Sequence, residues 1–189
     1  MKQLLLILIL LFATAGCDIN LDVSGPAIHG RSYITEPVCN LPVTLRQTNW
    51  LSPSREGSCT HATVTTALRW QNRPHTANEY AATHSGGETP QSLAAQLNAA
   101  GIRYVDSVGQ NDVAFLEWAI ATRRGCLVTV MGGRHAVFLA DLTPTHACLI
   151  DNNAPQVPQW IERDAFLSEW QQSHSWALAV LYSPVPELP

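Results

Sequence analysis

At 189 residues the chain is long enough to bury one ordinary core, and its twelve prolines and eleven glycines mark frequent turns. Eleven basic residues against fifteen acidic ones give a net charge of -4 with no basic stripe. That balance argues against a nucleic-acid partner and against a polybasic membrane patch.

The opening stretch, MKQLLLILILLFATAGC, sets Lys2 before a continuous apolar run and then places small residues ahead of Cys17. This is the grammar of a secretory signal, and the run from Leu4 to Ala15 is too short to span a bilayer comfortably. TAGC resembles a bacterial lipobox, whose cysteine becomes the lipidated first residue of the mature protein, although Thr14 stands where Leu, Val or Ile is usual. Ordinary signal cleavage after Ala15, giving a secreted chain, is the alternative. Asp18 resembles an inner-membrane retention signal, which implies a lipoprotein on the periplasmic side in a Gram-negative cell. Residues 1–16 therefore read as a lipoprotein-type signal peptide, 17–35 as a mixed, turn-rich tether, and 36–189 as the domain.

Within the domain, Ser58 is placed to cap a helix from Cys59 to about Gln71, with Ala62, Ala67 and Leu68 on its apolar side. A short helix is expected over Tyr80 to His84. TPQSLAAQLNAAG predicts a third, capped by Thr89, carrying Pro90 in its first turn and ended by Gly101. NDVAFLEWAIATRRG repeats the grammar, with Asn111 as cap, Val113, Leu116 and Ile120 as the apolar face, Arg123 and Arg124 in the last turn and Gly125 as terminator. The period then shortens. CLVTVM, HAVFLADL and HACLIDNN read as strands, ERDAFLSEWQQ as a helix, SWALAVLYS as a last strand and PVPELP as a tail. Helices followed by an antiparallel sheet define an α+β domain.

Cys39, Cys59, Cys126 and Cys148 follow the signal, an even number in a location where disulfides can form. Bridging all four would leave no free thiol. Cys126 and Cys148 each open an apolar run and fit a buried thiol as well as a bridge. Cys59 differs, because a cysteine heading a helix has its thiolate stabilised by unpaired amides and the positive end of the helix dipole. A nucleophile of that kind needs a histidine base and an oxygen-bearing group to orient the imidazole. His135, after Gly132 and Gly133, is the candidate base. Asp151, sixteen residues later, is the candidate orienting acid, with Asn152 or Asn153 able to do the same without a charge.

GSC opening a helix, then HAVFLADL, then CLIDNN resemble the Cys, His and Asp-or-Asn blocks of papain-like cysteine peptidases, in particular the bacterial peptidase C39-like branch. The likeness covers roughly residues 45–183. It implies a papain-like fold, with amino-terminal helices packed on an antiparallel sheet, and Cys59, His135 and Asp151 as a catalytic triad. One position departs from that pattern: Pro53 stands six residues before Cys59, where such enzymes commonly carry the glutamine that holds the oxyanion. Gln47 could replace it only if the intervening TNWLSPSREGS loops out, and Asn49 is another possible donor beside the Cys59 amide.

Each of these residues has an ordinary structural reading as well. Cys59 alone would be a packed or bridged cysteine, His135 a locally bonded strand-edge histidine, and Asp151 a turn acid. His61 lies two residues past Cys59 on a helix and points away from it. Cys59, His61, His146 and Cys148 lack the two-to-four residue spacing of zinc ligands, so no metal is assigned. Trp70, Trp118, Trp160, Trp170 and Trp176 are expected mostly to pack in the core; one or two could line a groove, and Trp160, in the connection after DNN, is the best placed to do so. Arg134 is expected to face solvent.

The sequence thus leads to an extracytoplasmic cysteine hydrolase that cleaves a peptide or amide bond without cofactor or metal. Its expected partners are a peptide, protein or peptidoglycan-peptide substrate and, through lipid on Cys17, a membrane. The competing expectation is a catalytically idle papain-like module with a binding or structural role in the cell envelope.

Overall fold

A computed structural model describes residues 38–183. The chain divides into Met1–Thr35 and Glu36–Pro189, and every described residue belongs to the second unit. The expected signal 1–16, Cys17 and its lipid, the tether 17–35 and the closing tail lie outside the described residues. Among those described, no helix is long and apolar enough to cross a membrane.

After one 3-10 turn at Val43–Leu45, three helices come in succession: α1 (Cys59–Trp70), α2 (Pro74–Thr83) and α3 (Pro90–Ala99). Then follow β1 (Tyr104–Ser107), α4 (Val113–Ala121), β2 (Cys126–Val130), β3 (His135–Leu142), β4 (His146–Ile150), β5 (Gln159–Glu162), α5 (Arg163–Gln172) and β6 (Ala177–Val180). The strands form one sheet in the order β1-β6-β2-β3-β4-β5, with every neighbouring pair antiparallel. This is the α+β architecture expected from the sequence.

Alternation along the central strands divides the core between the two faces of the sheet. Leu127, Phe138, Ile150 and Leu178 join the side chains of α1, α2 and α3 on one face. Their neighbours Val128, Val137, Leu139, Leu149 and Ala177 meet Leu116 and Ala119 of α4 and Phe166 and Trp170 of α5 on the other. The period of two fits a sheet covered on both sides, which is why these strands read as nearly continuous apolar runs.

Helix α1 is the central element. Every residue from Thr60 to Leu68 is buried, although the segment holds four threonines and a histidine. Three of those threonines satisfy their hydroxyls inside the helix: Thr63 donates to the Cys59 carbonyl, Thr65 to His61 and Thr66 to Ala62, each four residues back. A short side chain that bonds its own helix can therefore be buried without a partner from elsewhere.

Several boundaries differ from the sequence expectation. α2 begins at Pro74, well before Tyr80, because proline fits the first turn where its missing N–H loses no bond. β1 and β5 were not anticipated, being four-residue edge strands with no apolar run of their own. α4 is capped by Asp112, whose carboxylate accepts from Phe115 N at 3.0 Å, while Asn111 takes φ 52° and its side chain accepts from Ser175 Oγ. Arg123 and Arg124 lie beyond its last turn. Trp118 is 38% exposed, and Trp160 sits on β5 opposite Cys148 and packs against the core.

Candidate active site

The start of α1, the start of β3 and the end of β4 converge at one place. Cys59 is the first residue of its helix and half-buried, so its amide has no intrahelical acceptor and its sulfur stands at the positive end of the helix. Ser58 occupies the cap position without capping. Its hydroxyl instead accepts from Gly86 N at 2.9 Å, which fixes the loop between α2 and α3 against the start of α1.

His135 opens β3 directly after the Gly132–Gly133 turn and pairs across the hairpin with Val130. The turn is held from behind by α5 and the residue after it: Met131 N donates to Glu169 Oε1 at 2.6 Å and Gly132 N to Ser173 Oγ at 2.9 Å. His135 Nε2 lies 2.9 Å from Asp151 Oδ1 in the segment leaving β4. With Nε2 engaged there, Nδ1 is the nitrogen left to face Cys59, and the thiol and imidazole are hydrogen-bonding partners. Asp151 Oδ1 also accepts from Asn153 N at 2.9 Å, which orients the carboxylate.

The electrostatics follow from these contacts. Burial alone would push the Cys59 thiol up, but the hydrogen bond from His135, a backbone bond at Ala136 and the imidazolium charge together hold it below its ordinary value. His135 moves the other way. Its bond with Cys59 raises it most, burial opposes, and Asp151 raises it further. The lowered thiol and the raised imidazole both favour the thiolate–imidazolium form over the neutral pair.

The two asparagines weighed as alternatives to Asp151 hold other positions. Asn152 is 3% exposed and donates to the Ala136 carbonyl at 2.7 Å and the Cys59 carbonyl at 3.2 Å, so it ties β3 to α1 directly beneath the cysteine. Asn153 accepts through Oδ1 from Asn49 Nδ2 at 2.9 Å. Neither is bonded to the His135 ring.

The oxyanion candidates also separate. The stretch after Gln47 folds back as a tight loop, closed by an isolated bridge between Leu51 and Gly57 and by Arg55 at φ 66°. This folding brings Asn49 beside the cysteine: Asn49 Oδ1 and the Trp50 carbonyl both accept from Ser58 N. Gln47 is turned elsewhere, its amide donating to the adjacent Thr48 carbonyl at 2.8 Å. Of the two, Asn49 is the one held against the residue that precedes Cys59.

A buried polar cluster beside this site was not read from the sequence. His61 is wholly buried, with Nδ1 2.8 Å from Tyr80 Oη and Nε2 3.3 Å from Glu88 Oε1, while Gln96 donates to the same carboxylate oxygen. Burial lowers the His61 pKa, against the pull of Glu88. Its ring is thus committed away from Cys59, and the available signal was a histidine inside a buried helix. Among the described residues, no group of three or more His, Cys, Asp or Glu side chains could hold a metal ion. Arg134 is exposed.

No protein-family model matches the chain, and no curated protein matches it. Among solved structures, the chain is similar to a double glycine motif protease from an AMS/PCAT transporter, crystallised in complex with the leader peptide. The identity is 13%, the TM-score 0.48, and the overlap covers 74% of this chain and 94% of that one. At that level the likeness decides nothing about chemistry; the arrangement of Cys59, His135 and Asp151 has to be judged on its own geometry.

Proposed function

We propose that this chain is a cysteine hydrolase that cleaves a peptide or other amide bond, with Cys59 as nucleophile, His135 as base and Asp151 as the residue that orients the imidazole. The observation that carries the reading is the chain of contacts from a helix-heading thiol through one imidazole to one carboxylate. Block order along the sequence, resembling papain-like peptidases, supports it independently.

In the resting pair the Cys59 proton resides on His135. The thiolate attacks the substrate carbonyl carbon, and the oxyanion forms against the Cys59 amide and the second N–H of Asn49 Nδ2. His135 passes its proton to the departing amine as the carbon–nitrogen bond breaks, leaving a thioester on Cys59. Water, deprotonated by His135, then attacks the thioester, releases the carboxylic acid and restores the thiol. No cofactor enters these steps. The substrate is a peptide, a protein or a peptidoglycan cross-link, and we place the enzyme outside the cytoplasm, anchored through lipid on Cys17.

The test is the rate of Cys59 modification by iodoacetamide against pH, read by peptide mass with Cys126 and Cys148 as internal controls. Cys59 is expected to react fast well below the free-thiol pKa of about 8.5, and to lose that advantage in His135→Ala. A Cys59 that reacts no faster than the buried thiols would instead leave an idle binding module.

A further inference from the structure

The four described cysteines are unbridged, yet Cys39 and Cys148 share one packed cluster. Cys39 stands at the start of the described domain and Cys148 on β4, and each thiol is the largest influence on the other's pKa. Cys148 lies wholly inside the core cluster on the α1 face, and Cys39 packs against that same cluster half-buried. Both backbones are fixed. Cys148 is paired to Asp141 on one side and Trp160 on the other. The segment carrying Cys39 is pinned by fully buried Leu41 and by Arg46, whose guanidinium donates to the Leu41 carbonyl at 2.7 Å and the Pro155 carbonyl at 2.9 Å.

We propose that Cys39 and Cys148 form a redox pair, closing to a disulfide that fastens the leading segment of the domain to β4. This goes beyond the hydrolase reading and does not rest on it, since neither sulfur belongs to the Cys59 site.

The chemistry has a defined order. Cys148 has no exposed surface, so an external disulfide meets Cys39 first. Cys39 is also the better nucleophile of the two. The Cys148 thiol lowers its pKa to about 6, with burial opposing and the Leu41 backbone and Arg46 assisting, whereas the Cys39 thiol and burial push Cys148 up. The oxidant is a small-molecule disulfide such as glutathione disulfide, or a disulfide-bearing protein. The Cys39 thiolate attacks one of its sulfurs, the sulfur–sulfur bond breaks, and one thiol leaves. The sulfur of Cys148 then displaces the second thiol from the mixed disulfide. Two protein thiols become one disulfide, the oxidant is reduced to two thiols, and the two protein hydrogens end on them.

The test uses the full chain, reduced, freed of reductant, incubated with glutathione disulfide, then unfolded, alkylated and digested without reduction. The expected result is one cross-linked peptide pair joining Cys39 to Cys148, with both alkylation products lost together and Cys126 still alkylated. In Cys148→Ser the reaction should stop at a glutathione adduct on Cys39. A wild-type chain in which Cys148 stays alkylatable, or in which Cys39 is joined to Cys59, overturns the pairing. Cys59 reactivity is read in the same digest, so failure of the redox pair and failure of the hydrolase reading register on different peptides.

Discussion

Asp151 touches His135 through a single oxygen, and that economy determines what its substitution does. Replacing it by alanine removes both an acceptor for Nε2 and one of the influences that raise the imidazole pKa. Asp151→Ala should therefore lower the His135 titration midpoint and slow iodoacetamide labelling of Cys59 near neutral pH. Asp151→Asn keeps a neutral acceptor and should keep more of the labelling rate. Cys59→Ala removes the largest upward influence on His135, so its imidazole should titrate lower still. The sign also follows for the wild type: with Cys59 lowered and His135 raised, both shifts favour the charged pair over the neutral one. Labelling should climb as pH rises through the lowered Cys59 value. Peptide turnover should fall again as pH rises through the raised His135 value, where the acid that serves the leaving amine is lost. Histidine resonances followed by NMR check the first set and a pH–rate profile the second; an unmoved His135 midpoint in Cys59→Ala would mean that the thiol and imidazole are not coupled. Much of this residue-level picture was legible in the sequence, because a helix-heading cysteine and a histidine after a glycine turn both announce themselves locally. Which of Asp151, Asn152 and Asn153 meets the ring was not legible, since three consecutive polar residues leaving a strand differ only in the direction the chain turns them.

At the scale of elements, the site depends on how α1, β3 and β4 are locked together, and Asn152 is the lock. Its amide serves backbone carbonyls on two different elements, so Asn152→Ala removes one buried donor from each of Cys59 and Ala136, whose carbonyls keep the Thr63 hydroxyl. A buried hydrogen bond contributes about 0.5–1.5 kcal/mol net, and the urea midpoint of this variant should fall accordingly; a midpoint equal to wild type would mean that water replaces the amide. Gly125, foreseen as a helix terminator, does a second job that the sequence does not disclose. At φ 58° it leads α4 into β2, and an added Cβ would lie 2.8 Å from the Leu139 carbonyl and overlap the Phe138 ring. Gly125→Ala should destabilise by about 2–4 kcal/mol, combining left-handed strain with a core clash, as a thermal or urea unfolding curve will report. Helix α3, with threonine and proline at its start and glycine after its end, was readable because these signals are local. β1 and β5 were not, because an edge strand of four mixed residues is defined by the partner it borders. The loop that folds Asn49 back to Ser58 escaped for the same reason: the Leu51–Gly57 bridge exists only once both arms have met.

For the molecule as a whole, the Cys39–Cys148 pair makes a prediction about stability that the hydrolase site does not. The chain between these residues carries α1 to α4 and β1 to β3 together with the start of β4, so a bond between them would close most of the described fold into one loop. Cross-linking a long loop removes conformations from the unfolded ensemble, while here the folded state should change little because both residues already pack in one cluster on fixed backbones. The oxidised chain should therefore resist urea more than the reduced chain, by about 2–4 kcal/mol. Cys39→Ser should unfold like the reduced wild type under both conditions. Equal midpoints for oxidised and reduced wild type, with the linked peptide present, would mean that strain in the closed form offsets the lost chain entropy. The two sulfur systems are separable in the same experiment. Cys59 heads α1 and its reactivity depends on His135, whereas the cross-link acts on β4 three residues before Asp151. A staple that only restrains the unfolded chain should leave Cys59 labelling unchanged in the folded protein. A change in that rate on oxidation would show that fixing β4 also resets the carboxylate, and through it the imidazole that faces the thiol.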